Sequence, residues 1–416
     1  MAEMKDSGIE WCGKIPISWN VMPNKYVMHK KKEICPKYNG EDILSLTMDG
    51  VIVRDLDAGG KMPASFDGYQ RVHPHNLLMC LFDYDVTPRC IGLIQNEGLT
   101  SPAYSQFVMK NGNDARYYYY YYLMIDNTKE LLHLAKNLRH SFTEDQLGII
   151  NTPVPPVEIQ KKIAKYLDQK CEDIDAVYVE IEKQIETLEE YKKSIITEAV
   201  TKGLNPDVEM KDSGSVYWKD IPANWKLSDI KYLFEIVKRI AGKEGYDILS
   251  VTQKGLKIKD ISRNEGQIAE SYANYQFVYP TDFVMNHMDL LTGWVDCSKY
   301  FGVTSPDYRV FRLKDKRNSL NYYKYIMQCC YMDRIFYSLG QGVSNLGRWR
   351  LQTESFNNFQ IPVPPAKEQE QIAKYLDEKC IEIENIILDK QQQLETLEQY
   401  KKSLIYEYVT GKKEVK

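Results

Sequence analysis

With 416 residues, the chain exceeds what one ordinary hydrophobic core supports and implies two or more domains. A formal net charge of −4 and a pI near 6.0 exclude a global basic field, so any nucleic-acid surface has to be a local patch. Nine cysteines without a C-x-x-C pair fit free thiols in a reducing compartment, and the absence of an apolar leader or of about 18 consecutive apolar residues makes the cytoplasm the expected location.

Residues 1–152 read as a mixed α/β unit. Short β-branched and apolar runs such as GVIVRDL and NLLMCLFDY predict strands between turn signals, whereas RYYYYYYLMID at 116–126 predicts a helix. Its tyrosines are expected to pack on a sheet rather than to stack on bases. Residues 153–205 predict a long helix that starts after Pro155-Pro156 and ends near Gly203, ahead of Asn205-Pro206, because proline suits a helix start and cannot continue one. Its apolar positions Leu167, Ile174, Ile181, Ile185, Leu188 and Ile195 step by three and four, the spacing of a coiled-coil seam. A second mixed unit, 206–360, carries the runs FVMNHM and YRVFRLK, a helical stretch NYYKYIMQCCYMDRIFYSL at 321–339 and a glycine-rich loop LGQGVSNLGRWRL at 339–351. Residues 361–416 form a second long helix after Pro364-Pro365, with seam positions Leu376, Ile383, Ile387, Leu394, Leu397 and Leu404. A helix of about 44 residues is a rod of roughly 65 Å.

The chain repeats itself. QKKIAKYLDQKC at 160–171 returns as QEQIAKYLDEKC at 369–380, and ETLEEYKKSIITEAVT at 186–201 returns as ETLEQYKKSLIYEYVT at 395–410. Upstream, MKDSG, IPISW, DILSLT and TSPAY, starting at 4, 15, 42 and 100, return as MKDSG, IPANW, DILSVT and TSPDY at 210, 221, 247 and 304. Repeats of this kind are read before anything else. The first helix has to carry the chain from one unit to the next, and the second begins where the second unit ends. An antiparallel coiled coil with a unit at each end satisfies both conditions, with an internal pseudo-two-fold axis. A two-fold ligand of matching length is implied, and duplex DNA is the obvious one.

This order resembles the specificity subunit of type I restriction-modification systems. The resemblance rests on IPVPPAKEQEQIAKYLDEK at 361–379 and its earlier copy TPVPPVEIQKKIAKYLDQK, on DFVMNHMDLLTGWVDCSKYFGVTSPDYRVF at 282–311, and on the loop at 339–351. The first unit departs from the pattern: it lacks an asparagine at the place of Asn286, and LAKNLRHSFT lacks the glycines of the loop. The resemblance implies an α+β fold with two target-recognition domains separated by two long helices, each domain reading one half of a bipartite DNA site. It further implies two methyltransferase subunits docked on the helices, S-adenosylmethionine bound by those partners and no cofactor on this chain, and a separate motor-nuclease subunit. Such a chain directs chemistry without performing it.

The motif survey agrees with that division of labour. The sequence has no G-x-x-x-x-G-K-[ST] phosphate loop, no H-E-x-x-H and no G-x-S-x-G elbow. His73 and His75 flank Pro74 with no third ligand at a credible spacing, which reads as a loop pair and not as a metal site.

Phosphates require Lys and Arg, and base edges require Arg for guanine and Asn or Gln for adenine. On that chemistry the second unit offers Gln341, Ser344, Asn345, Arg348 and Arg350 in the glycine-rich loop, Lys254, Lys257, Lys259 and Arg263 in QKGLKIKDISR, and Asn286. The first offers Lys30, Lys31, Lys32, Arg54, Arg71, Arg89, Arg139 and His140. Tyr104 and Tyr308, in TSPAY and TSPDY, are expected in core or turn packing rather than in DNA contact. A coiled-coil scaffold with two protein-binding units and no DNA role is the alternative reading. An enzyme acting on nucleic acid by itself is a further one.

Overall fold

The computed structural model of the chain describes residues 3–58, 63–135, 140–260, 269–342 and 349–415. It divides into two compact units: Met1–Ile181 with Gln391–Lys416, and Glu182–Lys390. Each is mixed α/β, and each takes in part of both long helices.

In the first unit, strands β1 (Met28–Lys31), β2 (Leu77–Met79), β3 (Ile91–Leu93) and β4 (Ser105–Met109) form an antiparallel sheet in the order β1-β4-β2-β3. Phe107 stands opposite Leu77 on one side and Lys30 on the other. Helix α1 (Ala115–Thr128) is started by Asp114, whose side chain accepts the N–H groups of Arg116 and Tyr117, the usual role of a residue just ahead of a first turn. The tyrosine run lies within it: Tyr117, Tyr118, Tyr120, Tyr121 and Tyr122 are all buried. A buried phenol needs a hydrogen-bond partner, and several find one on the main chain. Tyr117 donates to the Val409 carbonyl at 2.8 Å and Tyr118 to that of Pro153 at 3.3 Å.

The second unit repeats the arrangement with β5 (Phe234–Val237), β6 (Phe283–Met285), β7 (Val295–Cys297) and β8 (Arg309–Leu313), in the order β5-β8-β6-β7. Phe283 and Phe311 stack at 5.3 Å across β6 and β8, and Phe234 meets both edge-on. Helix α3 (Leu320–Met332) is capped by Ser319 and covers the sheet with Tyr322, Tyr323, Ile326, Met327 and Cys330, all buried.

The long helices are α2 (Val157–Lys202) and α4 (Ala366–Val409). Both start one residue past a Pro-Pro pair, and α2 stops before Gly203, as the sequence predicts. Their repeated opening holds a buried glutamine in each unit. Gln160 donates to the Pro155 carbonyl and to Asn113 Oδ1, both at 2.8 Å, and its own oxygen accepts the Asp114 amide at 2.8 Å. Gln369 does the same with the Pro364 carbonyl at 3.0 Å, Asn318 Oδ1 at 3.1 Å and the Ser319 amide at 3.0 Å. One side chain thus joins the long helix, the turn before it and the start of the tyrosine helix. About two turns later the aspartates of YLDQK and YLDEK accept tyrosine hydroxyls, Tyr120 to Asp168 at 3.0 Å and Tyr325 to Asp377 at 2.7 Å.

Of the seam positions, Leu167, Ile174, Ile181, Ile195, Leu376, Ile383 and Leu404 are buried, while Ile185, Leu188, Ile387, Leu394 and Leu397 are half-buried. The globular cores close over the ends of the stripe: Leu167, Ile174 and Leu404 lie in the first core and Leu376 in the second.

Replacing Gln369 by leucine should strand three buried polar groups and cost the second unit about 3 kcal/mol, measured by denaturant unfolding. The exposed Gln393→Ala in the same helix should stay within about 0.5 kcal/mol of the parent.

Candidate nucleic-acid interface

In each unit a two-residue hairpin packs beside the main sheet: Leu44–Thr47 with Gly50–Val53, and Leu249–Thr252 with Gly255–Ile258. The closing threonine accepts the amide of the second tip residue at 3.2 Å in both, Asp49 in one and Lys254 in the other. Gly255 has φ +101° and an ideal Cβ there would lie 2.8 Å from Asp296 Oδ2, so only glycine fits. The chain therefore exposes Lys254 at the tip and Lys257 along the strand, with Lys259 half-buried at its end. The corresponding tip in the first unit is Met48-Asp49, and Arg54 is half-buried beyond it. Cationic tip chemistry belongs to the second unit.

A second pair of places differs more sharply. Strand Gln70–Val72 runs antiparallel to Gly98–Thr100 in the first unit, as Gln276–Val278 does to Gly302–Thr304 in the second. Both frames are fixed by a buried glutamine, Gln70 or Gln276, which donates to two carbonyls of the TSPxY turn, including that of Tyr104 or Tyr308 at 2.7 Å. Beside the first frame the side chains are charged. Arg71 pairs with Glu41 at 2.9 Å, Glu33 at 3.7 Å and Glu97 at 3.9 Å; His73 lies 3.0 Å from Glu33; and Lys31 reaches Glu33 at 3.3 Å. The hydrogen bond from His73 is the main reason the Glu33 carboxyl is held below its ordinary range, with Lys31 adding to it. Beside the second frame they are aromatic. Phe277 and Phe301 stack at 5.8 Å, Tyr246 meets Phe277 at 4.9 Å, Tyr279 meets Phe301 at 5.2 Å, and the Arg239 guanidinium lies 4.7 Å over Tyr279 while pairing with buried Asp282. Tyr279 and Phe301 are each more than 40 % exposed.

The remaining candidates scatter. Lys30 pairs with Glu144, which also accepts from Ser105 at 2.9 Å. Lys32 is exposed. His140 contacts Asp85 at 2.7 Å, and Arg89 is half-buried with Nε and Nη1 out of solvent and without a hydrogen-bond partner. Asn286 is half-buried, and its side-chain oxygen accepts the Met288 amide at 3.3 Å. Arg139, Arg263, Ser344, Asn345 and Arg348 lie outside the described residues.

The base of the glycine-rich loop is well defined. Gln341 and Arg350 exchange backbone hydrogen bonds at 2.9 and 3.1 Å. Between Arg350 and the core, the Trp349 indole donates to the Tyr337 carbonyl at 2.6 Å and packs against the Tyr337 ring. A Cβ on Gly340 would sit 2.3 Å from the indole nitrogen, so that glycine is required by a close approach. The indole ties the base of the loop to Tyr337.

Two residues at this base escape sequence reasoning. Arg309, at the start of β8, is only 4 % exposed. It donates to the Leu351 carbonyl at 3.0 Å and Thr353 Oγ1 at 3.3 Å, and lies 4.6 Å over the Phe356 ring. His287 is half-buried, its carbonyl accepts the Leu351 amide at 3.0 Å, and its Nδ1 is buried with no partner among the described residues. Burial, and then the charges of Arg309 and Arg350, lower its pKa from 6.5 to about 4. A basic residue inside an apolar strand carries no sequence mark that separates it from a surface one; Arg312, three positions on, is exposed and pairs with Glu235.

A mixed α/β unit set before each of two long helices, with different outward chemistry on matching frames, defines the class of fold. The chain belongs to the family described as the type I restriction modification DNA specificity domain, which matches residues 93–189 and 222–398. Among its relatives, the type I restriction enzyme MjaVIII specificity subunit of Methanocaldococcus jannaschii is 26 % identical over 284 residues, a stretch covering 64 % of this chain and 63 % of that protein. Among solved structures, a chain from a study of complex assembly and conformational transition of the type I R-M system superposes with a TM-score of 0.68 at 12 % identity, covering 95 % of this chain and 98 % of that one. The HsdS subunit of Thermoanaerobacter tengcongensis gives 0.51 at 12 % identity, with the same coverage. No helix among the described residues is long and apolar enough to cross a membrane.

Because the folded state holds His287 neutral well below the ordinary histidine pKa, the unfolded chain takes up its proton first as the pH falls. The second unit should therefore lose stability between pH 6.5 and about 4, and His287→Asn should flatten that part of the stability-against-pH curve, measured by thermal unfolding.

Proposed function

We propose that the chain is the DNA-sequence specificity subunit of a type I restriction-modification complex. Each unit reads one half of a bipartite duplex site, as a target-recognition domain. The carrying observation is one framework bearing different side chains in the two units: an Arg71-His73 network with three glutamates in the first, and a four-ring aromatic group with Arg239 in the second. Matching frames with unlike surfaces suit two readings of one kind of ligand.

The domain limits that follow are 1–152 and 206–360 for recognition, with 153–205 and 361–416 as helices. The helices act as an antiparallel coiled-coil spacer. In the first unit Tyr166 meets Tyr408 at 4.5 Å and Asp175 meets Lys401 at 2.5 Å; in the second Gln184 meets Lys390 and Lys192 meets Glu384, both at 2.5 Å. In each unit the partner's number falls as the residue number rises, which supports antiparallel pairing and an internal pseudo-two-fold. Two methyltransferase subunits carrying S-adenosylmethionine dock on these helices, and a motor-nuclease subunit completes the complex in the cytoplasm. This chain itself is non-catalytic.

The test is to map methylated adenines in cells that carry this chain and its methyltransferase, and then to exchange residues 1–150 for those of another family member. One half of the methylated motif should change and the other half should stay. A change in both halves overturns the modular reading, and duplex binding that ignores salt would favour a scaffold without a DNA role.

A further inference from the structure

We infer that His287, Arg309 and Arg350 form a receptor for a phosphodiester oxygen at the base of the glycine-rich loop of the second unit; the inference rests on the DNA reading above. Three chain segments bring them together. The segment after β6 carries His287, the first residue of β8 is Arg309, and the strand leaving the loop carries Arg350, with the Leu351 amide bonded to the His287 carbonyl and the Leu351 carbonyl bonded to Arg309.

A guanidinium removed from water requires a carboxylate or a full set of acceptors. Among the described residues Arg309 has a carbonyl, a hydroxyl, the Met285 sulfur at 4.0 Å and the face of Phe356, all uncharged, and neither it nor Arg350 has an ion pair. His287 adds a buried Nδ1 with nothing among them to bond. Around His287 stand the two guanidiniums. Tyr331 of α3 donates to the Asn286 carbonyl at 2.8 Å, and Asp289, two residues on, is occupied by the amides of Leu291 and Thr292. Two cations and a buried imidazole nitrogen without a partner among the described residues therefore lie close enough for both charges to act on the ring, an arrangement completed by an anion.

The first unit shows the compensated version. The residue opposite Met79 on β4 is Ser105, as Arg309 is opposite Met285 on β8. The short helix behind it begins with Glu144, where that of the second unit begins with Thr353. Glu144 accepts from Ser105 and pairs with Lys30. Charge is neutralised internally in one unit and left for a ligand in the other. An incoming phosphate oxygen would satisfy His287 and screen the guanidiniums, and the imidazole would then take up a proton on binding.

The experiment measures duplex binding by the full chain against salt concentration, for the parent, His287→Gln, Arg350→Gln, Arg309→Met and Arg309→Lys. His287 and Arg350 are partly exposed, so their variants test the receptor without relying on a core substitution. Arg350→Gln should weaken binding about tenfold on every base-substituted duplex and lower the slope of log K against log salt by roughly 0.9. Arg309→Met should do the same and Arg309→Lys should retain most of the slope. Calorimetry at pH 6 in buffers of different ionisation heat should show proton uptake on binding by the parent and none by His287→Gln. If the parent binds duplex DNA while every variant keeps its slope and proton uptake, the receptor is wrong and the DNA reading stands. If inorganic phosphate alone produces the proton uptake while the variants bind DNA normally, the site takes a free anion and the proposal also fails. If the parent binds no duplex, both fall.

Discussion

A buried glutamine in each unit holds three pieces of chain to one another. Gln160 and Gln369, 0 % and 1 % exposed, saturate a proline carbonyl, an asparagine side chain and the first amide of the tyrosine helix. None of these groups could be left unpaired in the interior without a cost of about 1–3 kcal/mol each. The register of the long helix against the sheet-covering helix therefore follows from one side chain, and the aspartate-tyrosine bonds about two turns later lock the rotation. The repeated QxxIAKYLD stretch is in this light a joint, and its chemistry explains why the same letters open both helices.

What varies sits outside the joint. The glutamine of the TSPxY frame bonds only to carbonyls, so the frame tolerates any outward side chain. The ion pairs of Arg71, Lys31 and Lys30 are partly exposed, and pairs of that kind are weakened by solvent screening. A phosphate could replace the glutamates at little expense. The aromatic group at the matching place of the second unit offers apolar faces and one cation already held by Asp282, which is a different kind of contact altogether.

The sequence makes the local features plain and leaves the long-range ones hidden. Pro-Pro pairs mark the starts of both long helices within a residue, because a helix start is written in neighbouring letters, whereas the second helix ends at Val409 and does not run on to 416. The tyrosine run declares itself as packing by its match to the amphipathic stretch at 321–339. Lys30 and Glu144 lie 114 positions apart, and nothing local tells that one neutralises the other. Arg309 and Arg312 are alike as letters, yet the first is buried behind Leu351 and the second is exposed. Those differences come from which strand lies across, which is a property of the fold and not of the segment.

The first unit is not contiguous in the chain. Its core needs Leu404, Ile405, Tyr408 and Val409, and Lys412 donates to the Cys12 carbonyl at 2.7 Å. The second unit is a single run, Glu182–Lys390. On the ribosome, where domains ordinarily complete in order from the N-terminus, this order is reversed. The run 182–390 has all its parts before the last stretch of helix is made, whereas the N-terminal sheet and tyrosine helix wait with an open apolar face until Gln391–Lys416 arrives. During that interval the earlier-made of the two units is the one more exposed to chaperones and to aggregation.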